Sequence, residues 1–278
     1  MSSRLSRTAR TKTAALAASA AALFSAGLLH PSPAVAAPPA KASAHATAAV
    51  LDLDGTGGTG GTAVVSGGDR AYDTASIVKV DILAALLLRA QDAGRELTAT
   101  ERGLAEPMIR RSDNAAANAL WRRIGRAPGL AAANERLGLT ATTGGPGGKW
   151  GLTRTTAGDQ VRLLREVFGP GDTARGGSGG LDGRSRAYVR TLMGQVVPEQ
   201  AWGVPAAGDP DSPRALKNGW LQRSTTGLWD VNSVGEVTVR GHRYLVAVLS
   251  DGNASMSDGV SLVERTARAA MTAQPPAA

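Results

Sequence analysis

The sequence predicts an α/β (α+β) fold, with an antiparallel five-stranded sheet formed by both chain ends, flanked by helices and enclosing an all-helical lobe. Two strand-like segments near the start, Thr47–Leu53 and Thr62–Ser66, are joined as a hairpin by the glycine-rich loop Asp54–Gly61. Strand-like periodicity returns after Pro213, and apolar residues between the two regions recur at helical spacing. Because strands from both ends share one sheet, the helices between them form an insertion. The late strands are predicted at Arg214–Trp220, Leu228–Val239 and Tyr244–Ser250.

The helical lobe, at about residues 77–212, is predicted from periodicity and from capping signals. From Ser76 onward, apolar residues fall three and four positions apart with few charges between them, which predicts a buried helix. Thr98 and Glu101 form a capping box, so a second helix is expected to begin there. Further helices are predicted at Asp113–Ile124, Pro128–Leu137, Thr155–Phe168 and Arg184–Val196, and an amphipathic helix at Val260–Met271.

The first 36 residues have the pattern of a secretory signal peptide. A basic start is followed by an alanine-rich apolar run over residues 14–29 and a small-residue cleavage site, and we expect cleavage near Ala36-Ala37. An uncleaved membrane anchor is the alternative, but a span needs about 20 strongly apolar residues. A flexible leader at 37–46 and a single domain at 47–278 follow, so we expect a secreted, extracytoplasmic protein.

Composition excludes several kinds of chemistry. The chain has no cysteine, which rules out thiol catalysis, disulfides, cysteine metal sites and lipid attachment to a cysteine. The three histidines, His30, His45 and His242, are poorly placed for a Ser-His-Asp triad or a zinc site. Cleavage would lower the formal charge from +8 to +4, and no basic cluster points to nucleic acid. The loop Asp54–Gly61 lacks the ending of a phosphate-binding loop, and we expect neither cofactor nor metal.

Ser76 and Lys79 form the first candidate catalytic pair, a Ser-x-x-Lys motif. A serine hydroxyl is a weak nucleophile that needs a base, and residues three apart lie on one helix face. A position at a helix start directs backbone N–H groups towards an oxyanion, and burial lowers the pKa of a lysine so that it can act as a base. The alternative is a capping serine with a solvated lysine, a pattern that often arises by chance.

Ser112 and Asn114 form a second candidate pair, within the stretch Arg111–Asn118 between two predicted helices. Ser112 could relay a proton to a leaving nitrogen, and Asn114 could hydrogen-bond both a lysine and a substrate amide. Taken alone, a cap formed by Ser112 or Asp113 at the start of the next helix is the simpler interpretation.

The segment Lys217-Asn218-Gly219-Trp220, on the first late strand, is the third candidate. Lys217 could meet a substrate carboxylate, and a glycine in a strand permits close approach of a ligand. The backbone N–H of Trp220 could donate to an oxyanion. The alternative is an ordinary edge strand with an exposed lysine.

The order Ser-x-x-Lys, Ser-Asp-Asn and Lys-x-Gly resembles the signature of class A β-lactamases and penicillin-binding proteins. The setting of the motifs agrees, because the first opens a buried helix, the second precedes an alanine-rich helix and the third lies on a late strand. Three motifs in this order outweigh three simpler interpretations. The chain is therefore identified as a member of this superfamily of penicillin-recognising serine hydrolases, from about Thr47 to the C-terminal helix.

The resemblance implies a role for each motif residue. Ser76 would attack the carbonyl of a β-lactam or peptide and form an acyl-enzyme, with Lys79 receiving its proton. Ser112 would pass a proton to the departing nitrogen, while Lys217 binds the substrate carboxylate and supports Ser112 electrostatically. The backbone N–H groups of Ser76 and Trp220 would form the oxyanion hole. The expected substrate-binding residues are Asn114, Lys217, Asn218, Gly219 and Trp220.

Release of the acyl-enzyme is the step at which the sequence departs from the family. Class A enzymes carry a loop glutamate that activates the deacylating water, but the corresponding stretch Leu139–Thr156 contains no acid. Glu135, Asp159 and Glu166 lie nearby without matching the motif. We therefore expect deacylation to be slow.

Three smaller departures concern the substrate cleft. Asn218 stands where relatives have a hydroxyl residue that helps to bind the carboxylate. The short connection between Lys79 and Ser112 removes one wall of the cleft, which predicts a more open site. No arginine occurs in Leu228–Val239, so Arg223 is the nearest candidate for binding the carboxylate.

These observations favour a β-lactamase-like hydrolase and leave three alternatives. A D-Ala-D-Ala peptidase would tolerate the missing glutamate, a binding module would hold a β-lactam or cell-wall fragment without hydrolysis, and a purely structural interpretation treats the motifs as caps and exposed lysines. We expect a small-molecule β-lactam or cell-wall peptide as the partner, no nucleic acid, and a monomer.

Overall fold

A computed structural model describes residues 43–55, 61–68, 70–169 and 179–274. The expected signal peptide, residues 37–42 of the leader and part of the Asp54–Gly61 loop lie outside the described residues. Within the described part of the chain, no helix is both long enough and apolar enough to cross a membrane.

The predicted five-stranded sheet from both chain ends is confirmed. Its strands pair antiparallel throughout, in the order β2-β1-β7-β6-β5. A separate two-stranded sheet of β3 and β4 was not predicted, because each strand has only two residues. The strands are β1 (His45–Asp52), β2 (Val64–Ser66), β3 (Tyr72–Asp73), β4 (Arg154–Thr155), β5 (Ala215–Gln222), β6 (Trp229–Val239) and β7 (His242–Asn253).

Seven helices in the described residues cover the sheet and fill the insertion, at the places the sequence predicts. Their starts follow capping residues: Thr98 and Glu101 form the expected capping box, and Asp113 and Thr156 accept from the first turns of their helices. The last helix begins four residues before Val260, because its polar first turn hides the periodicity. The helices are α1 (Val78–Asp92), α2 (Ala99–Arg110), α3 (Asn114–Arg123), α4 (Arg126–Leu137), α5 (Ala157–Phe168), α6 (Gly183–Gly194) and α7 (Met256–Thr272).

The central strand β7 is buried on both faces, which explains its nearly continuous apolar sequence. Val246 and Val248 belong to the cluster that includes Val263 of α7, whereas Leu245 and Leu249 join the larger cluster of the helical lobe. Helix α1 lies within that larger cluster, and most of its residues are buried. Burial of α1 extends to Lys79 and Asp81, so these two charged groups are removed from water, whereas Arg89 and Asp92 near the end of the helix are exposed.

Asp81 on α1 is one of these buried polar groups. Nε2 of Gln160, on α5, lies 3.5 Å from Asp81 Oδ1, while Asp81 Oδ2 and Gln160 Oε1 have no hydrogen-bond partner among the described residues. Burial raises the pKa of Asp81 to about 7, and the negative charge of Asp159 adds to the effect. A protonated Asp81 would have an O–H to donate to Gln160, which would satisfy both orphaned atoms.

The raised pKa predicts that stability depends on pH through Asp81. The folded state binds this proton more tightly than the unfolded chain, where the pKa is near 3.8. The stabilisation is therefore complete below about pH 4 and lost as the pH rises towards about 7. We expect the free energy of unfolding of the wild type, relative to Asp81→Asn, to fall by a few kcal/mol across that window.

Urea unfolding at half-unit pH steps from 4 to 8 measures this difference. Glu106→Gln, which changes an exposed acid on α2, serves as the control. A gap between wild type and Asp81→Asn that stays constant over the range would show that Asp81 is ionised throughout.

Candidate active site

Ser76 lies in a short 3₁₀ turn, Ala75–Ile77, that leads directly into α1. The preceding residue, Ala75, has φ 47°, a left-handed conformation that residues with a Cβ adopt rarely. Such strain costs about 1–3 kcal/mol and persists only where the surroundings hold it in place. Here the surroundings come from the late strands of the sheet.

Gly219 on β5 is one of the residues that hold this turn. A Cβ at Gly219 would lie 2.7 Å from Ser76 N and Thr74 O, and 2.8 Å from Ile77 N. We expected this glycine to make room for a ligand, but the turn that carries Ser76 occupies the space. Only glycine lets β5 approach the turn so closely.

Asn232 on β6, opposite Gly219 in the sheet, is a second residue that holds the turn. Its Nδ2 donates to Asp73 O at 2.9 Å and to Thr74 O at 3.1 Å, and its Oδ1 accepts from Ser250 N at 3.0 Å. The sequence analysis missed this residue. No sequence pattern singles it out, because Asp230 and Ser233 in the same strand are also polar and buried.

Lys79 brings the first two motifs together. Its Nζ lies within hydrogen-bonding distance of four oxygens: Ser76 Oγ at 3.0 Å, Ser112 O at 2.6 Å, Ser112 Oγ at 3.0 Å and Asn114 Oδ1 at 2.8 Å. The side chain is 0% exposed, so the solvated-lysine alternative is wrong. Burial lowers the pKa of Lys79 to about 7, although the charge of Asp113 opposes the shift. Near neutral pH, much of this amine is therefore able to accept a proton.

Ser112 links Lys79 to the third motif. Nζ of Lys217 donates to Ser112 Oγ at 3.0 Å and to Asn218 O at 2.8 Å. Lys217 is 0% exposed, so the exposed-lysine alternative is also wrong. Burial, reinforced by the charge of Lys79, lowers the pKa of Lys217. Since Ser112 Oγ accepts from both lysines, its own proton remains free to be donated.

The Ser-Asp-Asn motif serves two purposes in the structure. Asp113 Oδ1 accepts from Ala116 N at 2.7 Å and caps α3, as the simpler interpretation expected. Because Asp113 forms the cap, the hydroxyl of Ser112 is not needed for capping. Ser112 adopts φ 58°, and Asn114 Oδ1 accepts from Lys79 Nζ. The cap and the polar cluster therefore coexist.

Asn218 and Trp220 lie in different surroundings. Asn218 is fully buried, and its Nδ2 donates to Gln200 O and Trp202 O at 2.8 Å each. Its amide fastens β5 to the segment before it, so the structure does not bring this side chain into the cleft. Trp220 is partly exposed and lines the cleft, with its ring centroid 5.9 Å from that of Trp202.

A cleft of about 660 Å³ opens beside Ser76. Its lining includes two basic residues, Lys149 and Arg223, and no acidic residue among those the structure describes. Arg223 forms an ion pair with Asp73 and lies 3.8 Å from Asp230, so its charge is partly compensated. The described residues that line the cleft are Ala75, Ser76, Asn114, Asn118, Gly148, Lys149, Trp150, Gly151, Leu152, Trp220, Leu221, Gln222, Arg223, Ser224 and Thr225.

The acids that flank the Leu139–Thr156 loop all lie away from this lining. Glu135 is exposed on α4. Asp159 Oδ2 accepts from Ala141 N and Thr142 Oγ1 at 2.8 Å each. Glu166 Oε1 accepts from Leu181 N, also at 2.8 Å. The loop instead contributes Trp150, whose ring centroid lies 4.7 Å from Lys79 Nζ.

The fold and the site define a class of protein. Among solved structures, the chain resembles the penicillin G acyl-enzyme of a PBP-A mutant, with a TM-score of 0.66, 24% identity and coverage of 83% of this chain and 90% of that one. It also resembles a β-lactamase from Chitinophaga pinensis, with a TM-score of 0.67, 16% identity and coverage of 84% and 94%. These likenesses establish the β-lactamase and penicillin-binding fold.

The chain belongs to the beta-lactamase enzyme family, whose model matches residues 91–274. LppW of Mycobacterium tuberculosis, provisionally named a lipoprotein, is 29% identical over 166 residues, which are 58% of this chain and 51% of that protein. The chain thus spans about half the length of the curated relatives it matches. The family match begins after Ser76 and Lys79, so it does not include these two residues, and their hydrogen bonds are what join them to the rest of the site in the structure.

The close approach of β5 to the Ser76 turn predicts a specific cost for Gly219→Ala. The added Cβ would overlap backbone atoms, which cannot rotate away. We expect a loss of about 1–3 kcal/mol in the free energy of unfolding, as for other overpacked cores. Chemical denaturation measures it, with Gly103→Ala on α2 as the matched control, since nothing lies within 4 Å of that Cβ. Equal stability of the two variants would contradict the packing described for Gly219.

Proposed function

We propose that this chain is a serine hydrolase of the β-lactamase type, which opens β-lactam amides through an acyl-enzyme on Ser76. The observation that carries the proposal is the position of Lys79 Nζ, 3.0 Å from both Ser76 Oγ and Ser112 Oγ. A lowered pKa makes this lysine a base for the first hydroxyl. The second hydroxyl offers a route by which the proton reaches a leaving group.

In the proposed acylation, Ser76 Oγ attacks the amide carbonyl while its proton passes to Lys79. The proposed oxyanion hole for the tetrahedral intermediate consists of the backbone N–H groups of Ser76 and Trp220. The close approach of Gly219, the residue before Trp220, to Ser76 N supports this pairing. As the C–N bond breaks, Ser112 gives its proton to the departing nitrogen and recovers one from Lys79. The products of this half-reaction are an ester on Ser76 and an amine.

Lys217 favours an anionic substrate. Burial disfavours the charge on Lys217 in the free protein, and a substrate carboxylate would restore it. Asn114 Oδ1 accepts from Lys79 and the residue lines the cleft, which supports a contact between Asn114 and a substrate amide. Arg223 is available at the cleft, but its pairing with Asp73 makes it the weaker candidate for the carboxylate.

Hydrolysis of the ester is proposed to be the slow step. Water needs a base, and no described residue that lines the cleft is acidic. Lys79 is then the proton acceptor nearest to an ester on Ser76, but Ser76, Ser112 and Asn114 already surround its Nζ.

A D-Ala-D-Ala peptidase is the second candidate, favoured by the same lack of an acidic residue among the described residues of the cleft lining. Such an enzyme would turn over a cell-wall peptide and be acylated irreversibly by penicillin. A binding module without chemistry would have no use for the contacts between Lys79 and the two serines.

The proposed location is extracytoplasmic, and the proposed architecture is a signal peptide at 1–36, a leader at 37–46 and one monomeric catalytic domain at 47–278. The provisional lipoprotein name of LppW supports an exported protein. The present sequence contains no cysteine, so the proposal is cleavage of the leader without lipid attachment to a cysteine.

Intact-protein mass spectrometry of residues 37–278 with benzylpenicillin and a chromogenic cephalosporin tests the function. We expect a long-lived adduct of one penicillin on Ser76, slow release, and an acylation rate that rises with pH up to about 7, as Lys79 loses its proton. Ser76→Ala should form no adduct. Lys79→Met should acylate at least about 100-fold more slowly while remaining folded.

The outcomes separate the candidates. Rapid cephalosporin turnover would indicate an efficient β-lactamase with another water activator. A stable penicillin adduct together with turnover of a D-Ala-D-Ala peptide would favour the peptidase. Absence of both adduct and turnover would remove the β-lactam proposal.

The role of Lys217 predicts selective damage in Lys217→Ala. We expect acylation by a cephalosporin to slow far more than acylation by its methyl ester, because only the acid has a carboxylate for Lys217 to bind. Lys149→Ala, which removes an exposed charge from the cleft, is the matched control and should affect both compounds little. Equal losses for the acid and the ester in Lys217→Ala would count against carboxylate binding.

A further inference from the structure

The buried Nζ of Lys79 contacts polar groups of three residues and one aromatic ring. Ser76, Ser112 and Asn114 supply the oxygen partners. The indole of Trp150 faces the amine at 4.7 Å. Trp150 comes from the loop that lacks an acid, so an apolar ring lies beside the base.

The position of Trp150 is fixed by α3. Its Nε1 donates to Asn118 Oδ1 at 2.7 Å, and Asn118 lies one helical turn after Asn114. The same face of α3 therefore holds Lys79 through one asparagine and the ring through another. Both asparagines line the cleft.

The loop behind Trp150 is itself anchored, which distinguishes the ring from a loose surface side chain. Trp121 Nε1 donates to Gly147 O at 2.8 Å, and Gly145 N donates to Thr153 Oγ1 at 3.1 Å. The 3₁₀ turn Trp150–Leu152 then packs on the turn that carries Ser76, where a Cβ on Gly151 would lie 3.8 Å from Ala75 Cα.

We propose that Trp150, positioned by Asn118, keeps water away from Lys79 and thereby determines both the basicity of the lysine and the lifetime of an acyl-enzyme. The indole closes the side of the amine that the serines and Asn114 leave uncovered. The first consequence stands on geometry alone. The second rests on the proposed function, because it needs an ester on Ser76.

Two opposing effects of the Trp150 ring decide whether it raises or lowers the pKa of Lys79. The π face of an indole attracts an ammonium, which favours the charged lysine. The ring also displaces water, which solvates an ammonium far more strongly than a π face does. Exclusion of water therefore dominates, and the ring holds the pKa of Lys79 down. Trp150 acts through Lys79 and is thus a positioning residue.

The same exclusion of water would also account for the proposed slow release of the acyl-enzyme. The water that attacks the ester needs Lys79 as its base, and the indole occupies the adjacent space. The ring that makes Lys79 a good base for Ser76 therefore also keeps the deacylating water away from Lys79.

Lysine NMR tests the first consequence without any substrate. The sequence contains five lysines, so ¹³Cε-labelled lysine gives few signals, and Lys79→Met assigns the relevant one. We expect the Lys79 signal to titrate near pH 7 in the wild type. Trp150→Ala should raise the midpoint by about one pH unit, as water reaches the ammonium. Trp150→Phe keeps a ring over the amine and should shift the midpoint much less.

Two further variants separate the effect of the Trp150 ring on the Lys79 midpoint from the effect of the loop that carries it. Trp121→Phe removes an anchor of the same loop without touching Lys79, and its midpoint should match the wild type. Asn118→Leu releases the indole and should shift the midpoint in the same direction as Trp150→Ala, which keeps the test valid if Trp150→Ala does not fold. An unchanged or lowered midpoint in Trp150→Ala and Asn118→Leu, or an equal rise in Trp121→Phe, would overturn the proposal.

Adduct lifetime tests the second consequence. With benzylpenicillin, the Ser76 adduct of Trp150→Ala should be lost several-fold faster than that of the wild type, while Trp121→Phe should not differ. An unchanged lifetime would refute the role in release. If the wild type forms no adduct at all, the proposed function fails, whereas the NMR titration still decides whether Trp150 shields Lys79.

Discussion

The site depends on a buried amine that must remain able to lose its proton. Lys79 is fully enclosed, and removing an ammonium from water costs several kcal/mol unless an opposite charge compensates it. Within the described residues, every oxygen that accepts from its Nζ is neutral: two hydroxyls, a backbone carbonyl and an amide. Neutral acceptors orient the amine without fixing its proton as a carboxylate would. The surroundings of Lys79 are therefore suited to transferring a proton rather than to holding a charge.

Orientation of that amine requires strain elsewhere in the backbone. Ala75, directly before Ser76, and Ser112 itself both adopt left-handed conformations, so each of the two hydroxyls that meet Lys79 lies at a strained point of the backbone. Two residues from strands near the end of the chain hold the turn that carries Ser76: Gly219 packs against its backbone, and Asn232 hydrogen-bonds to the carbonyls just before it. The sheet made from both chain ends thus has a chemical purpose, because it brings a late strand against an early turn.

The sequence was sufficient for the parts of the molecule that rest on local pattern. Helical periodicity placed α1, the capping box placed α2, and three short motifs located the polar cluster. The roles of Gly219 and Asn232 were not predictable, since they depend on the register that pairs β5 with β6 and on contacts with a distant turn. Trp150 was missed for a related reason, because its loop has no periodicity and its contacts with α3 are entirely tertiary. Asn218 belongs to the motif, but its amide is used within the fold.

The two lysines around Ser112 Oγ suggest why an anionic substrate would be needed for efficient chemistry. Burial disfavours charge on both amines in the free protein, and it does so more strongly for Lys217, where the charge of Lys79 adds to the effect. In the proposed mechanism, a substrate carboxylate beside Lys217 reverses this preference and moves the charge to that residue. Because the repulsion is mutual, a charged Lys217 lowers the pKa of Lys79 further. Binding of the correct substrate would then prepare the base in the same step that places the carbonyl over Ser76.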